Sequence, residues 1–385
     1  MSVIIFIIIL LVLVLVHEFG HFFTAKRFGI RVDEFGFGFP PKLFSKKIGE
    51  TEYSINALPF GGFVKIFGET FEEADTLDVG FLEGKEKGSA SQSEDFSRSL
   101  VSKPAWKQAL VLFAGIFSNF LLAWLLFSFG FMSGLPTSVG SEIAGTKLSD
   151  VHLTVVSVLA KSPAENVGLK IGDKIISISL PASSKSVDTI NDPNGDQVQN
   201  LIASYGTQGK GGVAIKYTRA GKENYVIMNP DVISGKPHIG ISMDMIGTAK
   251  LPFFTAISQG LVLDLQMTKS TATGLYTLIA DGIRGRGSFA AVTGPVGMVG
   301  IVGDAYKFGF VYLLSFAALI SINLAIINLL PFPALDGGRL FFLLIEKIKG
   351  SRINPKVANM ANMIGFSVLI LLMLVITYHD VIKFF

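Results

Sequence analysis

The sequence predicts a polytopic α-helical membrane protein with four transmembrane helices, a membrane-associated β-hairpin and one inserted extracytoplasmic α+β domain. Three observations carry this reading. Of the 385 residues, 50% are hydrophobic and only 16% are charged, a balance typical of chains with several membrane spans. Four segments, approximately Val3 to Ala25, Ala109 to Met132, Phe308 to Leu330 and Met360 to Tyr378, reach the roughly 20 apolar residues that cross a hydrocarbon core as helix. Lysines and arginines crowd alternate ends of those segments, as cytoplasmic loops require. The first partner is therefore the lipid bilayer. A net charge of +3 without a basic block argues against a nucleic-acid partner. The chain has no cysteine, so it has no disulfide or thiolate ligand, and a metal must be held by His, Asp or Glu.

Residues 1–25 form the first span. They lack the basic leader and small-residue cleavage site of a signal peptide, and the apolar run continues through Phe22 and Phe23. Near its end stands "HEFGH". His17 and His21 are spaced i, i+4, so they share one helix face about 40° apart. Two imidazoles so placed can share one Zn²⁺, with Glu18 beside them to take a proton from water. Three titratable groups on one intramembrane turn are costly, and a bound cation is the simplest compensation. The rival reading is a polar helix end without metal.

Lys26, Arg27 and Arg31 follow this span, and Arg98, Lys103 and Lys107 precede the next, so residues 26–108 form a cytoplasmic loop. Within it "TEYSINALPFGGFVKI" alternates and turns at Gly61-Gly62 into Phe63, which predicts a hairpin over about 35–69. Its open edge could pair with an unwound substrate segment, or the hairpin could be a structural cap. Residues of about 70–98 are acidic and Gly/Ser-rich and predict a flexible linker. The second span occupies 109–132.

Outside lies a domain over 137–247, since long segments translocate regardless of charge. From Leu251 to Ile283 apolar residues recur at mostly helical spacing, predicting an interfacial amphipathic helix within a 251–300 segment that ends in "TGPVGM". The third span, 308–336, closes on "NLLPFPALDGGR". Pro331 and Pro333 interrupt the helix and Gly337-Gly338 permit a turn, so Asp336 can aim inward from non-helical backbone at the depth of His17 and His21. It is the candidate third ligand, although "LDGG" also reads as a helix N-cap. A basic cytoplasmic loop (339–358) and the fourth span (360–378) complete the chain, and both termini are expected outside the cell.

HEFGH in the first span, together with N-x-x-P-x-P-x-L-D-G-G in the third, resembles the site-2 protease family of intramembrane zinc metalloproteases. The order of parts is similar to its bacterial regulator-of-sigma-E branch. The resemblance implies an enzyme of the bacterial inner membrane with Zn²⁺ as cofactor, His17, His21 and Asp336 as metal ligands and Glu18 as catalytic base. It also implies that Asn328 of "NLLP" helps hold the substrate strand. "GGFVKIFGE", Gly61 to Glu69, is similar to the family loop that dips toward the active site. One departure stands in the second span, where the family's A-G-P-x-x-N is "AGIFSN", with Ile116 for proline and Asn119 retained.

"VVSVLAKSPAENVGLKIGDKIISI", Val155 to Ile178, resembles the core of a PDZ domain. That resemblance implies a carboxylate-binding strand at His238, Ile239, Gly240, Ile241 and Ser242, where a C-terminal peptide ligand would add by strand pairing; a folded spacer is the alternative. Substrates implied by the family are single-span transmembrane proteins already shortened outside, such as anti-sigma factors or signal-peptide remnants. The competing function is a membrane-anchored PDZ adaptor without hydrolytic activity. A transporter using Glu18 and Asp336 as a proton relay would need an inverted repeat or paired broken helices, and neither is evident.

Overall fold

A computed structural model describes residues 1–69, 96–140, 147–159, 161–180, 188–208, 212–233, 236–286 and 293–384. The expected acidic linker lies largely outside the described residues. The chain forms two compact units, one of Met1–Leu126, Leu261–Gly303 and Phe316–Phe385, the other of Phe127–Gly260 and Asp304–Ser315.

In the first unit, α1 (Ser2–Arg27) turns one narrow face inward, formed by Leu13, His17, Gly20, His21 and Ala25. Against it packs α2 (Ala105–Ser133). The approach is close: a methyl group on Gly20 would stand 2.3 Å from the Ala114 carbonyl oxygen, so only glycine fits. Ile116, the departure in the second span, is fully buried. α2 runs unbroken past it, as expected where no proline removes a helical N–H. Four described helices are long and apolar enough to cross a membrane: α1, α2, α7 (Phe310–Leu329) and α9 (Pro355–Phe384). This is an integral membrane protein with β-sheet regions.

The loop after α1 differs from the expected hairpin. Strands β1 (Val32–Ile48) and β2 (Thr51–Ile66) pair antiparallel with repeated register shifts, and part of β1 pairs twice. Phe35 lies opposite both Tyr53 and Val64, Gly36 opposite both Ser54 and Phe63, and Phe37 opposite both Ile55 and Gly62. The two stretches that were expected to pair with each other, around Tyr53–Ala57 and Phe63–Ile66, therefore flank the 32–39 stretch instead. Its glycines hid the alternation of Phe35, Phe37 and Phe39, although period two is the strand signature.

Helix boundaries also differ from the expected ones. α5 (Phe253–Ile283) covers the expected amphipathic helix, and the GPVG segment is the start of a further helix, α6 (Pro295–Phe308). Gly309, with φ of 121°, separates α6 from α7. After Leu329 the chain leaves helical geometry through Pro331 and Pro333 and resumes at α8 (Asp336–Lys349). Much of the stretch expected as a loop at 339–358 is thus helix. α8 ends at Gly350 in the left-handed region, a common helix stop.

The second unit carries an antiparallel sheet in the order β3-β11-β4-β5-β7-β8, with β6 on β5. The strands are β3 (Leu135–Ser138), β4 (Ser149–Val158), β5 (Lys174–Leu180), β6 (Asp188–Asn191), β7 (Val213–Arg219), β8 (Lys222–Met228) and β11 (Ile241–Ala249). A separate ribbon joins β9 (Asp231–Ile233) to β10 (Lys236–His238). Two helices, α3 (Pro163–Asn166) and α4 (Gly195–Gln208), complete a core that includes Val155, Leu169, Ile178, Val198, Ile215 and Ile239. Asp173, fully buried, takes two hydrogen bonds of 2.6 Å from Arg219, the bidentate pairing that a buried carboxylate needs.

Candidate metal centre

Helical spacing brings His17 and His21 to one face of α1, and the break after α7 turns Asp336 toward them. Asp336 Oδ2 lies 3.0 Å from His17 Nε2 and 3.3 Å from His21 Nε2. The two Nε2 atoms stand 3.3 Å apart. Asp336 is the first residue of α8; the N-cap is Leu335, and no side-chain cap bond is made there. Its Oδ2 faces the two histidines from the first turn of that helix.

The outer face of each imidazole is held by α2. His21 Nδ1 lies 2.8 Å from the Val111 carbonyl oxygen, an acceptor that fixes the proton on Nδ1 and leaves the Nε2 lone pair facing the cluster. His17 Nδ1 lies 3.3 Å from the Asn119 side-chain amide. Between these contacts Gly115 makes room for the His21 ring, since a methyl there would stand 2.1 Å from Nε2. The Ser321 hydroxyl of α7 donates to the Asn119 backbone carbonyl at 2.8 Å.

This donor set fits zinc. Two imidazole nitrogens and a carboxylate oxygen converge within 4.8 Å, and ligand atoms bonded at about 2.0–2.1 Å around a tetrahedral ion stand ~3.3 Å apart. Asp336 Oδ2 is buried without a hydrogen-bond partner, so a cation is the group that would satisfy it.

The other expected site residues are distributed unequally. Glu18 is half-buried on α1 beside the last stretch of β2. The Val64 backbone hydrogen-bonds its carboxylate, and a methyl on Gly62 would meet its Cγ at 3.4 Å. Gly61, Gly62 and Phe63 open that stretch, and Gly61 has φ of 103°. Asn328 is half-buried in the last turn of α7. Beyond the motif, Arg339 of α8 pairs with the Glu69 carboxylate and backbone carbonyl. Val111 and Ser321 were not legible as site residues, because a backbone carbonyl and a serine in a greasy helix carry no chemical signature; Gly115 stood in the "AGIFSN" motif, but its approach to His21 was not readable there.

His238–Ile241 lie in the second unit. The single strand expected from His238 to Ser242 is not formed. His238 ends β10 opposite Asp231, Ile239 is buried in the core, and Gly240 at φ of 78° breaks the run before β11 begins. These residues border a groove of about 900 Å³ lined also by Gln199, Ile202 and Ala203 of α4.

A carboxylate and two imidazoles meeting among membrane-length helices fit a metal centre of the kind a membrane-embedded metallohydrolase uses. The comparisons give the family. A model described as peptidase family M50 matches residues 5–372, and the chain belongs to that family, the site-2 proteases. It is 32% identical over 447 residues to the regulator of sigma-W protease RasP of Bacillus subtilis, covering 100% of this chain and 99% of the relative. It is 31% identical over 454 residues to the zinc metalloprotease RasP of Geobacillus kaustophilus, covering 100% and 98%. A putative zinc metalloprotease of Clostridium perfringens shares 34% over 375 residues, covering 96% and 95%. The chain is an intramembrane zinc metalloprotease.

Proposed function

We propose that His17, His21 and Asp336 hold the zinc and that Glu18 is the general base of peptide-bond hydrolysis within transmembrane segments. The observation that carries this is the convergence of the three donors at 3.0–3.3 Å, with Glu18 on the same helix. Zinc, when bound, supplies Lewis acidity for the scissile carbonyl and for water. Glu18 accepts a proton from the attacking water and returns it to the nitrogen as the C–N bond breaks. Val64 orients the Glu18 carboxylate from β2. The Gly61–Ile66 stretch receives the substrate as an added strand, because a helical substrate's carbonyls are hydrogen-bonded and shielded. Asn328 donates to that strand.

The substrates are single-span membrane proteins already trimmed outside. The name of the Bacillus subtilis relative supports regulators of sigma factors as one class. Residues 137–247 form an extracytoplasmic PDZ domain and both termini lie outside; the antiparallel sheet, the GLKIGD turn anchored by Asp173, and the groove beside α4 support that reading. Metal analysis tests the site: Ala at His17, His21 or Asp336 should lower zinc content, whereas Glu18→Gln should keep zinc and abolish cleavage. Full zinc occupancy in Asp336→Ala would overturn the ligand assignment.

A further inference from the structure

His17 and His21 occupy equivalent roles but have different outer partners. His21 rests on a backbone carbonyl, which no substitution removes. His17 rests on a side chain, Asn119. Val111, Gly115 and Asn119 are spaced i, i+4, i+8, so one face of α2 supplies an acceptor, a gap and an amide in succession. Asn119 is fully buried, and its Oδ1 has no hydrogen-bond partner. The amide nitrogen is the atom drawn toward His17 Nδ1, but oxygen and nitrogen of an amide are exchanged by a rotation of ~180° and are assigned from their partners. A histidine that ligates through Nε2 carries its proton on Nδ1 and needs an acceptor there. The rotated amide brings Oδ1 to the position facing His17 Nδ1, where it gains the partner it otherwise lacks.

We propose that Asn119 is the positioning residue for His17, accepting the Nδ1–H through Oδ1 and fixing the ring and tautomer that face the metal. The proposal rests on His17 being a ligand. Two features support a dedicated role. Ser321 clamps the Asn119 backbone from α7, the helix that leads to Asp336, so α1, α2 and α7 are tied at one residue. Ser118, the neighbour of Asn119, donates to the Val16 carbonyl at 2.8 Å, which fixes the register of α1 against α2 one residue before His17.

The test is zinc affinity of the purified full chain, measured by competition with a chromogenic chelator, together with the visible absorption of the Co²⁺-substituted protein. Asn119→Ala should weaken zinc binding about 10- to 100-fold and alter the Co²⁺ spectrum. Asn119→Asp, which keeps an acceptor, should restore both. If Asn119→Ala does not fold, Asn119→Leu takes its place as the variant of similar volume without an acceptor. Wild-type affinity and spectrum in a folded acceptor-less variant would overturn the proposal, as would an Asp variant that loses as much zinc as Ala. His17→Ala distinguishes the two readings. If it binds zinc like wild type, the ligand assignment fails; if it loses zinc while Asn119→Ala does not, only the positioning role fails.

Discussion

Arg339 holds Glu69 with both arms of its guanidinium, one on the carboxylate and one on the backbone carbonyl. Arg339 lies one turn beyond Asp336 on α8, and Glu69 follows the β2 stretch that borders Glu18. The pair therefore joins the helix carrying a candidate ligand to the strand proposed to receive substrate. Both side chains are mostly buried, and Arg is suited to such bidentate contacts where Lys is not.

Replacing Arg339 by Ala should destabilise the chain by about 2 kcal/mol, because Glu69 loses one charge-assisted bond at its carboxylate and one at its backbone carbonyl. It should also lower kcat/KM by about 10- to 100-fold through misplacement of the strand. Zinc content should hold, since Arg339 is not a donor to the cluster. Arg339→Lys should recover little. A cleavage assay beside metal analysis reads all three, and a loss of zinc in step with activity would show that the pair acts on Asp336 and not on the strand.

Gly115→Ala should be far more damaging than a glycine change elsewhere in a helix. The added methyl would stand 2.1 Å from His21 Nε2, so the ring must leave its place, and zinc content should fall with the proposed ligand. Gly274 of α5 meets nothing within 4 Å, and Gly274→Ala should raise stability by about 0.5–1 kcal/mol from helix propensity. Equal zinc content in the two variants would contradict the packing argument.

Glu50 gives a pH dependence with a defined sign. Burial raises its pKa, but hydrogen bonds from Lys26 and Arg98 outweigh burial and hold it below the usual glutamate value; the Lys26 contact is 2.5 Å. A depressed folded-state pKa stabilises above the unfolded pKa of about 4.3 and is lost as pH falls through the folded value. Wild type should therefore melt above Glu50→Gln near neutral pH, and the gap should close as acidification carries the pH below the unfolded value and through the folded one. A gap that persists or widens there would reverse the assignment. The pair is partly exposed, so high salt should narrow the gap as well.

What the sequence makes legible here is local or periodic. His17 and His21 meet because four residues return a helix to the same face. Four apolar runs are long enough to span, and a helical period read from Leu251 marks α5. What it hides depends on contacts made at a distance. The double pairing of Phe35, Phe37 and the glycine between them arises because both halves of β2 find the same strand. α8 was legible only as the alternative reading of "LDGG" as a helix start, because the basic residues after it mark a cytoplasmic loop, although Leu340, Leu343 and Leu344 carry its helical stripe. Asn119 was visible as a motif residue, while its bond to His17 was not, because 102 residues separate them.

The last prediction concerns how substrates are admitted. The chain enters and leaves the inserted domain through paired strands: Leu135 faces Ala249, Pro136 faces Thr248 and Thr137 faces Gly247. Excising Ser138–Ile246 and closing the strands with a two-residue Asn-Gly turn should therefore preserve the ends that lead into α2 and α5. If the domain is a sieve, this variant should cut a full-length substrate that wild type spares, and cleavage of the pre-trimmed form should persist. If the groove at His238–Ile241 must instead capture a new C-terminus, trimmed substrates should no longer be cut, and amidating their C-terminal carboxylate should have the same effect in wild type. Exclusion is the expected outcome, because a site that admits water to a metal also admits unselected helices unless something bars them. A barrier suppresses wrong partners without needing affinity for the right one. The decisive comparison is one substrate with and without its folded ectodomain, in both enzymes. Equal discrimination by both would rule out the sieve and move the gate to the β2 stretch at Gly61-Gly62 or to α5.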